Sequence, residues 1–343
     1  MTRASDRNQQ KSGERVAKVI ARAGLASRRQ AEAWIAAGRV AINGTVIASP
    51  ARNVGAHDRV TVDGAALPAR ERTRLFLFHK PRGLVTTHAD PQGRPTIFAS
   101  LPRDLPRLVS VGRLDLGTEG LLLLTNDGGL ARALELPETG WLRRYRVRAH
   151  GHVTQSELDR LRDGITIGGV RYGPIVAALD REQGANVWLT FAIREGKNRE
   201  VKNVLAHLGL EVARLIRISF GPFRLGDLPV GAVEEVRTRY LREQLGERLA
   251  RSAGCDFSAP IIPIPPPKGE GGSSRSEEPG GGHVARRAKK PASGAPLRGK
   301  RGKVKGSETS ARPPAFRKRA NESANRPAKP RRAHRPTRGK RER

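Results

Sequence analysis

Cysteine occurs once in the 343 residues, at Cys255, so neither a disulfide framework nor a cysteine-based zinc site can form within one chain. No apolar stretch approaches the ~20 residues needed to cross a bilayer. The N-terminal MTRASDRNQQKSGERV is polar and lacks the apolar core of a signal peptide. A soluble, cytoplasmic protein without membrane contact is the expectation. Nucleotide-binding glycine loops are missing too: GRLDLGTEG has neither the lysine nor the spacing of a P-loop, and no Gly-x-Gly-x-x-Gly occurs. His79 and His88 are isolated, and His150 and His152 share a strand face without convergent carboxylates. No metal and no small-molecule cofactor is expected.

Carboxylates are scarce as well, with 33 Asp+Glu against 65 Lys+Arg and a formal net charge of +32. Residues 251–343 carry 25 basic and 7 acidic groups, a net of +18. The first 250 residues carry 40 and 26, a net of +14. The body is therefore basic without its tail, and the expected partner is a polyanion, nucleic acid first.

The chain divides by composition. Residues 1–13 are polar and expected to be flexible. From 14 to 67 the pattern predicts a small domain. Val16, Val19, Ile20 and Ala23 fall at helical spacing, with Gly24 as a stop. SRRQ reads as a capping box, Ser27 to Gln30, opening a second helix with Ala31, Trp34 and Ile35 on its apolar face and Gly38 at its end. Asn43-Gly44 signals a hairpin, and RVTVDG a further strand. Residues 68–74 read as a linker. An α+β domain around a mostly antiparallel sheet is expected over 75–250. Its strands are LFLFHK, LVSVGRLD, the Leu121–Leu124 run, RRYRVRAH, NVWLTFAI and VARLIRISF. Asp127 and the Thr154/Glu157 pair cap helices, and TRYLREQLGERLA closes the domain as a helix. Residues 251–343, rich in Lys, Arg, Pro and Gly with almost no aromatics, cannot build a core and are expected to be disordered.

The segment VGRLDLGTEGLLLLTNDG places Asp115 after Arg113, where a strand gives way to a glycine-containing loop. Loops held by rigid elements often carry reactive groups. A carboxylate kept ionised by a nearby cation can act as nucleophile or base. Asp is also a common turn residue, and on these residues alone the turn is the commoner reading.

GRLDLGTEGLLLLTNDG resembles the signature of the RsuA/RluB-type ribosomal pseudouridine synthases. FHKPRGLVTTHADPQGRPTIF, RRYRV and EGKNREVKNVLAHLGLEVARLIRISFGPFRLGDLPVGAVEEV resemble further segments of that family, in family order. AGLASRRQAEAWIAAGRVAING resembles the alpha-L RNA-binding domain of a ribosomal small-subunit protein. The resemblance spans about residues 14–245. It implies a cofactor-free isomerisation of uridine in ribosomal RNA, with the large-subunit RNA as the expected substrate; nothing in the sequence demands a dimer, and a monomer is expected. It makes Asp115 the catalytic carboxylate, Tyr145 the active-site aromatic and Lys202 the cation paired with Asp115. Arg113 would fill the space left by a flipped base or hold phosphate. Arg199, in the same segment as Lys202, would contact RNA. Arg28, Arg29 and Arg39 would grip phosphates from the small domain. Whether the Asp attacks the sugar, attacks the base or removes a sugar proton stays open. So do three other readings: a small-subunit RNA substrate, a non-catalytic RNA-binding assembly protein, and a glycosidase using Asp115 with Glu119.

Overall fold

The computed structural model describes residues 13–262. The expected flexible N-terminus and most of the expected disordered tail lie outside those residues.

The small domain contains β1 (Glu14–Arg15), α1 (Val16–Arg22), α2 (Arg28–Ala36), β2 (Val40–Ile42), β3 (Thr45–Val46), β4 (Asn53–Val54), β5 (Val60–Val62) and β6 (Ala65–Ala66). The capping box forms in full: the Gln30 amide N–H donates to Ser27 Oγ, and the Ser27 amide donates to Gln30 Oε1 at 2.9 Å. Val16, Ile20, Ala31 and Ile35 then face Val40, Ile42 and Val60 in one apolar cluster. Asn43 (φ 52) and Gly44 (φ 82) make the β2–β3 turn, both in the left-handed region that a two-residue hairpin needs. Asp63 (φ 51) and Gly64 (φ 78) repeat the device between β5 and β6. That second hairpin exceeds the single strand expected there.

The larger domain adds β7 (Leu75–Lys80), β8 (Val109–Ser110), β9 (Thr118–Thr125), α3 (Gly128–Glu135), β10 (Arg143–His150), α4 (Gln155–Asp159), β11 (Ile165–Ile167), β12 (Val170–Tyr172), β13 (Val176–Gln183), β14 (Asn186–Ile193), α5 (Glu200–His207), β15 (Glu211–Phe220), β16 (Phe223–Arg224), β17 (Val233–Glu235) and α6 (Thr238–Ala253). The main sheet runs β13-β14-β10-β15-β9-β7-β17, with β16 on β15 and β8 on β9. Every pair is antiparallel except β9 with β15.

The four leucines of β9 explain themselves in this position. Leu122 and Leu124 enter the cluster that also holds Val204 of α5, and Leu121 and Leu123 enter the one under α3 and α6. A strand covered on both faces reads as a continuous apolar run.

Two expectations need correction. LVSVGRLD does not form one strand: only Val109–Ser110 pairs with β9, and the backbone turns away at Gly112 (φ 68). The loop that follows, not a strand end, carries Asp115. The boundary at 250 also falls too early. α6 runs to Ala253, and Cys255 and Phe257 pack against the α3/α6 cluster. The Thr73 amide donates to the Asp256 carbonyl at 2.7 Å, so residues 68–74 and the segment after α6 tie each other down. Apolar contacts of this kind exclude disorder for 251–262, and they are invisible to composition. Among the described residues no helix is long and apolar enough to cross a membrane.

Gly120 shows how close β9 and β15 come. A Cβ there would sit 2.4 Å from the Arg217 carbonyl oxygen and 2.7 Å from its nitrogen, at a φ of 103 that other residues rarely adopt. Gly120→Ala should therefore cost about 2–4 kcal/mol of stability. Thermal denaturation checks this; an unchanged melting temperature would mean that the strands are not held at this spacing.

Candidate active site

The loop from Gly112 to Gly117 is fixed from several sides. The Thr86 hydroxyl donates to the Leu114 carbonyl at 2.8 Å, and the Leu114 amide donates back to Thr86 Oγ1 at 3.3 Å. The Gly112 amide donates to Glu135 Oε1 at 2.8 Å. The Gly83 amide donates to the Leu116 carbonyl at 2.9 Å, and the Thr118 amide to the Asp115 carbonyl at 3.0 Å. Lys80, fully buried at the end of β7, sends its ammonium to the carbonyls of Pro81 (2.9 Å), Thr118 (2.9 Å) and Asp115 (3.3 Å). Burial pushes this lysine down to about 8, against the opposing pull of Asp115 and Glu119. Asp115 is thus presented on a loop whose backbone is bonded at Gly112, Leu114, Asp115 and Leu116.

Asp115 lines a cleft of about 320 Å³. Tyr145 comes to it from β10, on the buried phase of an alternating strand. Lys202 comes from α5, and its Nζ stands 3.7 Å from Asp115 Oδ2. That separation is an ion pair rather than a tight hydrogen bond, as is common before substrate arrives. Arg113 and Arg199 also line the cleft and are exposed. Arg199 takes a φ of 50, an unusual conformation for a non-glycine residue, immediately before α5. Thr118 faces the cleft, while Glu119, one residue on, belongs to the opposite phase of β9. Glu119 is bound by Arg214 at 2.8 Å, and this hydrogen bond holds its carboxyl below the usual range. Asp115 and Glu119 therefore do not form the carboxylate pair of a glycosidase.

The small-domain arginines separate. Arg28 lines a second cleft of about 450 Å³ together with Lys18, Arg22, Arg107 and Arg132. Arg29 is exposed. Arg39 is not a free cation: it is ion-paired with Asp63 at 2.5 Å and lies over the Trp34 ring. Cys255 is half-buried, and burial pushes its thiol up to about 12, which leaves it inert as a nucleophile. Among the described residues no group of three or more His, Cys, Asp or Glu could hold a metal ion.

Residues 74–207 match the family described as RNA pseudouridylate synthase, and residues 14–60 match the S4 domain. A protein of Rickettsia prowazekii, described as an uncharacterized RNA pseudouridine synthase, is 42% identical over 231 residues; the match covers 67% of this chain and 97% of that one. The chain belongs to the RNA pseudouridine synthase family. A ribosomal large subunit pseudouridine synthase B of Pseudomonas aeruginosa is 43% identical over 245 residues, covering 68% of this chain and 63% of that one. A solved structure described as a pseudouridylate synthase is 29% identical, with a TM-score of 0.47, over 68% of this chain and 100% of that one.

Four residues at the site escape motif reading. Lys80 and Thr86 hold the Asp115 loop, and Arg143 and Arg217 bound the cleft from β10 and β15. Three of them carry a signal in the strand pattern. Lys80 is in phase with Phe76 and Phe78, Arg143 with Tyr145 and Val147, and Arg217 with Leu215. A cation on the buried phase of a strand is either paired or functional.

Proposed function

We propose that this protein converts specific uridines of ribosomal RNA to pseudouridine, acting on the large-subunit RNA, with Asp115 as the reacting carboxylate. One observation carries the reading: three segments far apart in sequence bring Asp115, Tyr145 and Lys202 into one cleft, with the Lys202 ammonium 3.7 Å from the Asp115 carboxylate. The relatives described as large-subunit synthases support the choice of RNA.

The parts suit the chemistry. A uridine in a duplex or stacked loop must leave its stack before a side chain can reach its sugar and base, at a cost of a few kcal/mol. The cleft is large enough for one flipped nucleoside and is bounded by an aromatic face, Tyr145. Lys202 sets a positive charge 3.7 Å from the carboxylate that would react. Arg113 and Arg199 at the rim suit phosphates on either side of the target, and Arg28 and Arg29 extend the basic track onto the small domain. The enzyme needs no cofactor and works as a monomer in the cytoplasm.

The test is direct. Purified protein incubated with large-subunit rRNA fragments should yield pseudouridine at defined positions. Tight binding without product would favour an RNA-binding assembly factor instead. Product from small-subunit RNA alone would move the substrate to the other subunit.

A further inference from the structure

Two buried arginines line the cleft, whose lining also holds the buried Glu200. Arg143 and Arg217 are 7% and 3% exposed, and among the described residues neither has a carboxylate within 4.0 Å. Arg143 is anchored by backbone: its Nη1 donates to the carbonyls of Trp141 and Arg194. Burial pushes its guanidinium below the ordinary value, Tyr145 and Glu200 oppose this, and the Arg217 charge adds to it.

Arg217 is not satisfied in this way. Its Nε donates to the Leu121 carbonyl at 2.7 Å, and its guanidinium lies over the Phe220 ring. Its Nη2 is sealed from solvent without any hydrogen-bond partner. A buried cation with open donors is costly to keep, by several kcal/mol where nothing compensates it. It stands beside Tyr145, its cross-strand neighbour, in the cleft that holds Asp115.

We propose that Arg217 is a catalytic residue that stabilises the uracil anion formed during the isomerisation. This rests on the function proposed above. The bond between C1′ and N1 breaks, and its electron pair stays with the ring. The resulting anion shares its charge over N1, O2 and O4. After the base turns, a ring electron pair forms the C1′–C5 bond. The proton then lost from C5 is matched by one gained at N1, so no oxidant or reductant is consumed. Charge appears on the base only while it is detached. A fixed, buried guanidinium lining the cleft, with no carboxylate within 4.0 Å to compensate it, is preorganised for that charge and gains little from the neutral base. Lys202 cannot serve both ends, since it faces Asp115.

Arg217→Gln, compared with the full-length wild-type protein, tests this. Single-turnover conversion of the target uridine should fall on the order of 10²–10³-fold, with RNA affinity within about threefold of wild type. A structural role for Arg217 could also lower the rate, so the second readout uses RNA with 5-fluorouridine at the target. Fluorine stabilises the departing anion by itself. The deficit of the variant, measured as loss of the original nucleoside, should shrink by about tenfold on that RNA. An equal deficit on both RNAs, or a rate within about threefold of wild type on uridine, would overturn the proposal. Should the Gln variant not fold, Arg217→Lys keeps the charge without the guanidinium fork and is carried through the same pair of RNAs, with the same shrinkage expected. Wild-type protein that makes no pseudouridine from rRNA would instead sink the function itself.

Discussion

Asp115→Asn should reduce pseudouridine formation on the order of 10³-fold or more, while leaving the fold and RNA binding intact. The substitution keeps the size and most of the polarity of the side chain. An amide is neither a nucleophile nor a base at neutral pH, so the reaction loses its central group. Little stability is at stake. The carboxylate is half-exposed and meets Lys202 at 3.7 Å, a spacing that contributes about 0–1 kcal/mol. The loop is held through backbone groups of Leu114, Asp115 and Leu116, which the substitution does not touch. Single-turnover assays with equal amounts of wild type and variant measure the rate, and filter binding measures RNA affinity. Residual activity within about tenfold of wild type would remove Asp115 from the chemistry.

Lys80→Met should be the most damaging change outside the cleft lining. Met fits the space, but the carbonyls of Pro81, Thr118 and Asp115 lose the ammonium at once, and of these the Asp115 carbonyl keeps the Thr118 amide. Leaving a buried acceptor without a partner costs about 1–3 kcal/mol. The expected loss is about 3–5 kcal/mol of stability, discounted for partial rearrangement. Activity should fall further than the folded fraction does, because two of those carbonyls, of Asp115 and Thr118, flank the reacting loop. Denaturant unfolding gives the stability, and the rate per folded molecule gives the second effect. A stable Lys80→Met with a full rate would show that the loop holds itself.

The same lysine sets a pH dependence. Burial lowers it from the ordinary 10.5 to about 8. Between those values the unfolded chain keeps a proton that the folded protein has released. The unfolded state then binds more protons, so stability from this group rises with pH across the window. The stability gap between wild type and Lys80→Met should therefore widen from pH 8 to 10.5. A gap that is flat or that narrows would mean that the ammonium is not desolvated.

Several elements were readable from local pattern because a local cause produces them. The Ser27/Gln30 box, the Asn43-Gly44 turn and the all-buried β9 each follow from residues within one turn or strand. Asp115 was different. Its neighbours make a turn as plausible as a reagent, and only Tyr145 and Lys202, delivered by β10 and α5, give it a reactive setting. The loop's anchoring by Lys80 and Thr86 was hidden for the same reason, since both bonds cross long stretches of chain. The ordered segment after residue 250 was hidden because its order comes from packing on α3 and from Thr73, not from its composition. Strand phase carries a signal for the buried cations: Lys80, Arg143 and Arg217 all stand where a strand buries its side chains.

The central claim, that Asp115 in this cleft isomerises uridines of large-subunit RNA, has one most direct test. Pseudouridines are mapped across the rRNA of cells that lack the gene and are complemented with wild type or with Asp115→Asn. The account predicts at least one large-subunit position that is modified with the wild-type gene and remains uridine with Asp115→Asn. Restoration of that position by Asp115→Asn, or no change at any large-subunit position, would contradict it.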